Sequence, residues 1–253
     1  MRFLLLGNLE VHDPNGCCIR LNRTKHRQLL GLLLLRANHA VSMDQLVDGM
    51  WPLDPPRFAK GNLKTYVSAI RPIVDQAGAV IETVPRGYQL AVRPDFVDVL
   101  LFEELFQTAG AASGNDDSHR IDLLRKALGL WRGDALQDLS YEGGPLRDAA
   151  TRLHEKRIAA IQDLAALCLR LGRNHEAIDH LRMALSWEPL RERLWRLLMF
   201  ALYRDGRQAE ALSAYREFRT ILIENIGLEP SSDLQGMHSR ILSGDALLNV
   251  SPG

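Results

Sequence analysis

The sequence predicts a mainly α-helical protein with a small β component, built from an N-terminal winged helix-turn-helix domain and a C-terminal all-α domain of tetratricopeptide-like repeats. Two observations predict this class, and a third suggests that the two halves have different partners. Helical segments and then a β-hairpin follow one another in the first half. A 34-residue repeat runs through the second half. The charge differs between the halves. We expect the domains at residues 1–95 and 96–253.

Composition and hydropathy indicate an ordinary globular chain. Of its 253 residues, 46% are hydrophobic and 25% are charged. No apolar run reaches the length of about 18 residues that spans a bilayer, and the apolar start of the chain is too short for a signal peptide. We therefore expect a cytoplasmic protein. Cys17, Cys18 and Cys168 match no metal-binding spacing, and they predict reduced thiols and no metal or cofactor.

The net charge of zero conceals a division between the two predicted domains. Residues 1–95 contain 12 Lys and Arg against 8 Asp and Glu, so the remaining residues carry an equal acidic excess. Such a division suggests that the two domains have different partners.

The first elements are a strand, its partner and a helix. Residues 3–11 predict a strand, and residues 18–22 pair back with it across the turn sequence DPNG. Residues 24–36 predict a helix whose leucines face a core. The basic start of this helix, with Lys25, could lie near an anion or be a solvated helix end, and the sequence leaves both open.

A capping box predicts the second helix over residues 43–50. The Ser42 side chain can accept a hydrogen bond from an early backbone N–H while Gln45 reaches back, and Val41 and Leu46 occupy the positions of a hydrophobic staple. The sequence WPLDPP then breaks this helix, and the next one begins near Arg57. Two short helices with a tight connection are typical of a helix-turn-helix.

A β-hairpin follows the third helix. Residues 79–84 and 88–92 are β-like, and the sequence PRG separates them. Pro85 presets its own φ, and we expect Gly87 to relieve the turn. A strand, three helices and a hairpin follow the order of a winged helix.

The third helix has an apolar side and a cationic side. Leu63, Tyr66, Val67 and Ile70 can attach it to its own domain. The other side can face a DNA major groove, because Lys contacts phosphate and Arg can bind guanine with two hydrogen bonds. A merely solvated surface is the alternative. Pro72 predicts that the helix bends or ends around residues 70–72.

The candidate DNA-binding residues lie on this helix and around it. Arg86, at the hairpin tip, can reach a phosphate or a neighbouring minor groove. The full set is Lys25, Arg57, Lys60, Lys64, Thr65, Ser68, Arg71 and Arg86.

The second half contains an internal repeat. Gly172 and Gly206 are 34 residues apart, and the residues around them match at the same step. Residues 121–130 share six of ten identities with residues 178–187. A stack of about three helical repeats can bury a shared core, and its tryptophans are expected in that core rather than in a ligand site.

Two segments resemble a known family. VSMDQLVDGMW, NLKTYVSAIR and IETVPRGYQL are similar to the winged-helix output domain of OmpR-like response regulators, here expected without a preceding receiver domain. ALGLWRGDALQDL and the stretch from LRERLWRLLMF to GMHSRIL resemble the bacterial transcriptional activation domain. The combination resembles the Streptomyces antibiotic regulatory protein family, in its small class without a nucleotide-binding module.

The resemblance implies a function. Such a protein would bind direct repeats in promoter DNA, as a dimer or a side-by-side pair. It would recruit RNA polymerase holoenzyme through the sigma factor and neighbouring subunits, with the connection at residues 51–57 able to touch polymerase. It would activate one antibiotic or secondary-metabolite gene cluster.

No motif for catalysis is present in the sequence. The phosphate-binding loops, the zinc-protease motif and the serine-hydrolase motif are all missing, so we expect no enzyme. The alternative function is a helical-repeat adaptor or ligand sensor whose N-terminal domain docks proteins.

Overall fold

The computed structural model describes residues 1–111, 116–139 and 144–245, which divide into two compact units. The first unit joins Met1–Thr108 to Lys126–Lys156, and the second joins Ala109–Arg125 to the chain from Arg157. Each unit is therefore built from two separate stretches of the sequence. A domain boundary after residue 95 stays a prediction, and the end of the predicted second domain, from residue 246, lies outside the described residues.

The chain is mainly helical with two small sheets, which confirms the predicted fold class. In chain order the elements are β1 Phe3–Leu4, β2 Glu10–Val11, α1 Thr24–Leu34, β3 Ala40–Ser42, α2 Met43–Met50, α3 Ala59–Gln76, β4 Val80–Val84, β5 Gly87–Ala91, a 3-10 turn Pro94–Phe96, α4 Asp98–Ala111, α5 Asp117–Leu128, α6 Gly144–Arg170, α7 Asn174–Leu185, α8 Glu192–Arg204, α9 Gln208–Ile226 and α10 Ser232–Leu242. Within the described residues, none of the helices is long and apolar enough to cross a membrane.

The capping box sets the start of α2 as predicted. The backbone N–H of Gln45 donates to the Ser42 hydroxyl at 3.2 Å, and the backbone N–H of Ser42 donates to the Gln45 side chain at 2.9 Å. Val41 and Leu46 are buried on either side of the cap. The helix begins at Met43 because this short stretch satisfies its first backbone donors locally.

The wing is the hairpin of β4 and β5, which joins β3 in the order β3-β5-β4. The predicted role of Gly87 is wrong. Arg86, not Gly87, takes the positive φ of 71°. Gly87 is required because a Cβ there would lie 1.9 Å from the Val41 carbonyl oxygen of β3. The glycine therefore allows two strands to approach, and the turn is made by the residue before it.

The predicted strand over residues 3–11 is wrong in its middle. Within this stretch the strands are β1 and β2, which pair with each other as Phe3 with Val11 and Leu4 with Glu10. The predicted partner strand at 18–22 is reduced to one bridge between His12 and Cys18. The backbone groups between β1 and β2 are occupied by residues distant in sequence and so cannot form a ladder.

Asp98 holds this interrupted segment. Its carboxylate is completely buried and accepts hydrogen bonds from the backbone N–H groups of Leu5 at 2.8 Å and Leu6 at 2.9 Å. The carbonyl oxygens of Leu5 and Leu6 accept from the backbone N–H groups of Leu136 and Arg132. Burial raises the pKa of Asp98 to about 6, against the opposing effect of these backbone donors.

The same segment explains why the first unit extends beyond the wing. The Leu9 N–H donates to Asp138 at 2.9 Å, and Arg27 pairs with the same carboxylate. Residues 98 and 132–138 thus complete hydrogen bonds that the first residues of the chain cannot satisfy among themselves. No sequence pattern indicates this pairing, because its partners are separated by more than 90 residues.

The second unit contains the repeated helices. α8 packs against α7 and α9, and α10 packs against α8 and α9. Gly172 and Gly206, one repeat apart, both have positive φ in the short connections before α7 and α9. Trp195 is buried, and its indole N–H donates to the Pro189 carbonyl at 2.8 Å.

We expect Asp98→Ala to loosen the segment between β1 and β2. Leaving a buried backbone donor unsatisfied costs about 1–3 kcal/mol, so amide hydrogen exchange at Leu5 and Leu6 should accelerate. In the wild type, a folded pKa of about 6 lies above the usual 3.8. The unfolded chain therefore loses this proton first as the pH rises. The protection contributed by Asp98 should fall between about pH 4 and pH 6, and this dependence should vanish in the variant.

The matched control is Asp95→Ala, which removes an exposed carboxylate three residues away that pairs with Arg93. It should leave exchange at Leu5 and Leu6 unchanged. Equal protection of both amides in wild type and Asp98→Ala would show that this carboxylate does not hold the segment.

Candidate nucleic-acid interface

One side of α3 attaches the helix to its unit. Leu63, Val67, Ile70 and Val74 recur at helical spacing and are buried. This side packs against α1, α2 and β4. Tyr66 extends the attachment, since its ring lies 5.4 Å from that of His26 on α1 and 6.3 Å from that of Trp51. The apolar stripe therefore acts as the sequence predicts.

The opposite side of α3 is exposed. Lys60, Lys64, Thr65 and Ser68 are all exposed. Their neighbours on this side are small, since Gly61 and Ala69 are exposed too. The described part of the chain therefore leaves open a helix surface with two ammonium groups, two hydroxyl groups and little steric bulk.

Lys60 has an acidic neighbour that sequence reasoning missed. Its Nζ lies 2.7 Å from Oδ1 of Asp44 on α2, and the two side chains are 63% and 76% exposed. A pair this exposed contributes only about 0–1 kcal/mol. A phosphate can therefore replace Asp44 as the partner of Lys60 at little cost. Only the packing of α2 on α3 brings the two residues together.

Of the two outcomes predicted for residues 70–72, a bend or an end of α3, the end is wrong and the bend stays a prediction. The helix includes Pro72 and continues to Gln76. Proline removes one backbone donor within a helix, but Ser68, whose carbonyl loses that donor, is exposed and can be solvated. Ile70 and Val74 are fully buried on either side of Pro72 and hold the helix against its unit.

Arg71 turns from the exposed line of α3 toward the wing. Its Nε donates to the Ile81 carbonyl at 3.2 Å, and its Nη2 donates to the Thr83 hydroxyl at 2.8 Å. The guanidinium carbon also lies 5.9 Å from the centre of the Tyr88 ring. The Arg71 side chain is half-buried. The arginine that the sequence suggests as a reader of bases therefore uses its guanidinium for contacts within its own unit.

Arg86 is at the wing tip, as predicted. Its side chain is exposed, and its backbone carbonyl accepts a hydrogen bond from the Met43 N–H at 2.8 Å. Met43 is the first residue of α2, where a helix has unsatisfied donors. The bond to α2 fixes the backbone from which the Arg86 side chain extends.

The two remaining candidates differ in exposure. Lys25 is half-buried, donates to the Met50 carbonyl at 3.0 Å and lies near the Trp51 ring, and burial lowers the pKa of its ammonium group. Lys25 therefore caps the carbonyl of Met50, the last residue of α2, by a contact inside the first unit. Arg57 is exposed, with its guanidinium 5.6 Å from the centre of the Phe58 ring.

The connection between α2 and α3 is an exposed segment with an apolar character. Residues 52–58 are all exposed, including Leu53 at 79% and Phe58 at 71%. Pro52, Pro55 and Pro56 restrict its backbone. Large apolar side chains this exposed are typical of interaction surfaces when they occur together.

The described residues contain no cluster of three or more His, Cys, Asp or Glu side chains that could hold a metal ion. The chemistry available around α3 is that of cations and hydroxyl groups.

Comparison with known proteins decides the family. Residues 18–90 match the C-terminal domain of transcriptional regulatory proteins, and residues 97–242 match the bacterial transcriptional activator domain. The chain is 34% identical over 258 residues to the regulatory protein DnrI of Streptomyces peucetius, covering 97% of this chain and 93% of DnrI. The chain belongs to the Streptomyces antibiotic regulatory protein family.

Other members of the Streptomyces antibiotic regulatory protein family align equally far along this chain. The transcriptional regulator RedD of Streptomyces coelicolor is 35% identical over 97% of this chain and 71% of RedD. The regulatory protein AfsR of Streptomyces griseus is 38% identical over 97% of this chain, which spans only 25% of AfsR. The family consists of transcriptional regulators and not of enzymes.

A solved structure is similar as well. Mycobacterium tuberculosis EmbR in complex with a low-affinity phosphopeptide superposes with a TM-score of 0.85 at 30% identity, covering 96% of this chain and 65% of that one. The fold of this chain is therefore similar to that of EmbR over nearly the whole chain.

Proposed function

We propose that this transcriptional regulator binds promoter DNA through α3 and the wing, and that it activates transcription by recruiting RNA polymerase holoenzyme. The uncovered cationic side of α3 is the observation that carries the proposal. The protein would act in the cytoplasm on direct repeats upstream of one antibiotic or secondary-metabolite gene cluster. It would bind as a dimer or a side-by-side pair.

The shape and chemistry of α3 support insertion into the major groove. A helix fits this groove when its exposed side is free of bulk. Gly61 is exposed in the first turn of α3, and a Cβ added there would meet no atom within 4 Å. No packing in the described unit requires a glycine at this position, so close approach of DNA is a use that fits it.

The proposed contacts divide by chemistry. Lys60, Lys64 and Arg57 would contact phosphates and bind independently of sequence. Ser68 would donate to a phosphate or a base edge. Thr65, whose hydroxyl donates to the Gly61 carbonyl at 3.3 Å, would do the same on exchanging that bond for one to DNA. Arg86 would reach the minor groove or backbone beside the α3 site. Lys25 would act only indirectly, by supporting the end of α2.

The apolar connection between α2 and α3 supports the polymerase part of the proposal. Leu53 and Phe58 are exposed beside the proposed DNA-facing helix, and a highly charged duplex offers them little apolar surface. An apolar partner surface of the sigma factor or a neighbouring subunit would bury them. Binding DNA and polymerase through adjacent segments would let one unit hold both together at a promoter.

We expect Lys64→Ala to weaken binding to all DNA sequences. Removing one phosphate contact reduces the slope of log K against log salt by about one. Fluorescence anisotropy with promoter DNA and random DNA, over a series of salt concentrations, measures both effects. The matched control is Lys126→Ala, which removes an exposed lysine from α5.

Two results would contradict this proposal. The first is a wild-type protein that binds promoter and random DNA equally at physiological salt, which would favour the adaptor or ligand-sensor alternative. The second is an equal salt slope for Lys64→Ala, Lys126→Ala and wild type.

We expect Leu53→Ser to separate DNA binding from activation. The side chain is 79% exposed, so the change should leave folding and promoter affinity intact while reducing transcription several-fold. In vitro transcription with purified holoenzyme measures the activity. Val80→Ser is the control, since Val80 is a 52% exposed apolar residue of β4 in the same unit. Full activation by Leu53→Ser would exclude this side chain as a polymerase contact.

A further inference from the structure

We propose that Arg71 is a positioning residue that fixes the wing to α3, so that the α3 surface and the wing tip meet DNA as one rigid unit. This inference rests on the proposed DNA-binding function and changes the role of Arg71 within it. The sequence places Arg71 in line with Lys64 and Ser68 and so suggests a base-reading arginine. The structure assigns its guanidinium to the hairpin.

The contacts of Arg71 connect α3 to the strand at the edge of the sheet. β4 is an edge strand in the order β3-β5-β4, so it has carbonyl groups without a strand partner. Arg71 donates to one of these, at Ile81, and to the Thr83 hydroxyl two residues closer to the tip. A planar guanidinium that donates from two nitrogens fixes direction as well as distance, which a lysine cannot do.

The wing is fixed on its other side as well. The Met43 N–H of α2 donates to the Arg86 carbonyl, and Gly87 lies against β3. The wing is therefore held by the pairing of β5 with β3, by one backbone hydrogen bond to α2 at its tip, and by the Arg71 side chain to α3. Arg71 acts on β4, the strand that does not pair with β3, and so restrains the opposite side of the hairpin.

This arrangement bears directly on affinity. A wing that moves relative to α3 would lose conformational freedom when Arg86 meets DNA, and that loss would reduce affinity. A wing that is already fixed in the free protein avoids this loss of conformational freedom on binding. The contribution of Arg86 to binding should therefore depend on Arg71 and Thr83, although Arg86 itself contacts neither in the hydrogen bonds described.

The test compares Arg71→Gln, Thr83→Val and the conservative Thr83→Ser in the full chain. Thr83→Val removes the hydroxyl that accepts from Arg71 while keeping size and charge, and it is an exposed change that should not disturb folding. Thr83→Ser keeps the hydroxyl. Each variant is combined with Arg86→Ala, and dissociation constants for promoter DNA are measured by fluorescence anisotropy.

Positioning predicts non-additive effects. The factor by which Arg86→Ala weakens binding should shrink about threefold or more in Arg71→Gln and in Thr83→Val, and it should be unchanged in Thr83→Ser. The effects of Arg71→Gln and Thr83→Val on affinity should also be non-additive. A direct role for Arg71 in reading DNA predicts instead that Thr83→Val is silent and that the Arg71 and Arg86 effects add.

A second measurement needs no DNA. Backbone ¹⁵N relaxation of residues 84–87 in the free protein should show lower order parameters in Arg71→Gln and Thr83→Val than in wild type and Thr83→Ser. Unchanged order parameters in both variants would overturn the inference.

Two results of these DNA-binding measurements have different consequences. A wild-type protein that does not prefer promoter DNA would overturn the proposed function and this inference with it. A wild-type protein that prefers promoter DNA, with additive effects of Arg71, Thr83 and Arg86, would overturn this inference alone.

Discussion

The two-sided character of α3 is the constraint on which the rest of the first unit depends. One helix has to be held firmly by its own unit and remain open along its opposite side. Leu63, Val67, Ile70 and Val74 bury one stripe completely, while Lys60 and Lys64 remain exposed. Helical periodicity makes the two requirements compatible, because residues three and four apart share a side. The buried stripe holds α3 in place, so the charged side does not have to pack against another element.

The elements around α3 serve to orient it. α2 begins at a capping box and supplies both Asp44, beside Lys60, and Met43, whose N–H holds the wing tip. β5 lies close to β3 because Gly87 has no side chain. Arg71 connects the same hairpin to α3. Helix, turn and wing are thus connected by a few short polar contacts in addition to the apolar core.

Local sequence patterns were sufficient to predict much of the structure around α3. The capping box at Ser42 and Gln45 predicted α2 residue for residue, and the stripe on α3 predicted which side is buried. The predictions failed where residues distant in sequence determine the local backbone structure. The strand over residues 3–11 is interrupted because Asp98 takes its backbone donors.

Distant residues also decide the structure at two further positions. Pro72 does not end α3 because tertiary burial on both sides of it outweighs one lost hydrogen bond. Gly87 serves a strand contact across the sheet rather than its own turn. In the candidate interface, exposure of Lys60, Lys64 and Ser68 followed from periodicity. The direction of Arg71 did not, because it depends on where the hairpin folds back.

The most direct test of the account places a DNA-cleaving probe on the open side of α3. Iron-EDTA would be attached at Ser68→Cys after Cys17 and Cys18, the two exposed cysteines, are changed to serine. The same probe at Ser213→Cys on α9 gives the background. We expect strong cleavage of bound promoter DNA at the repeats from position 68 and not from position 213. Equal, weak cleavage from both positions, by protein that remains bound, would contradict it.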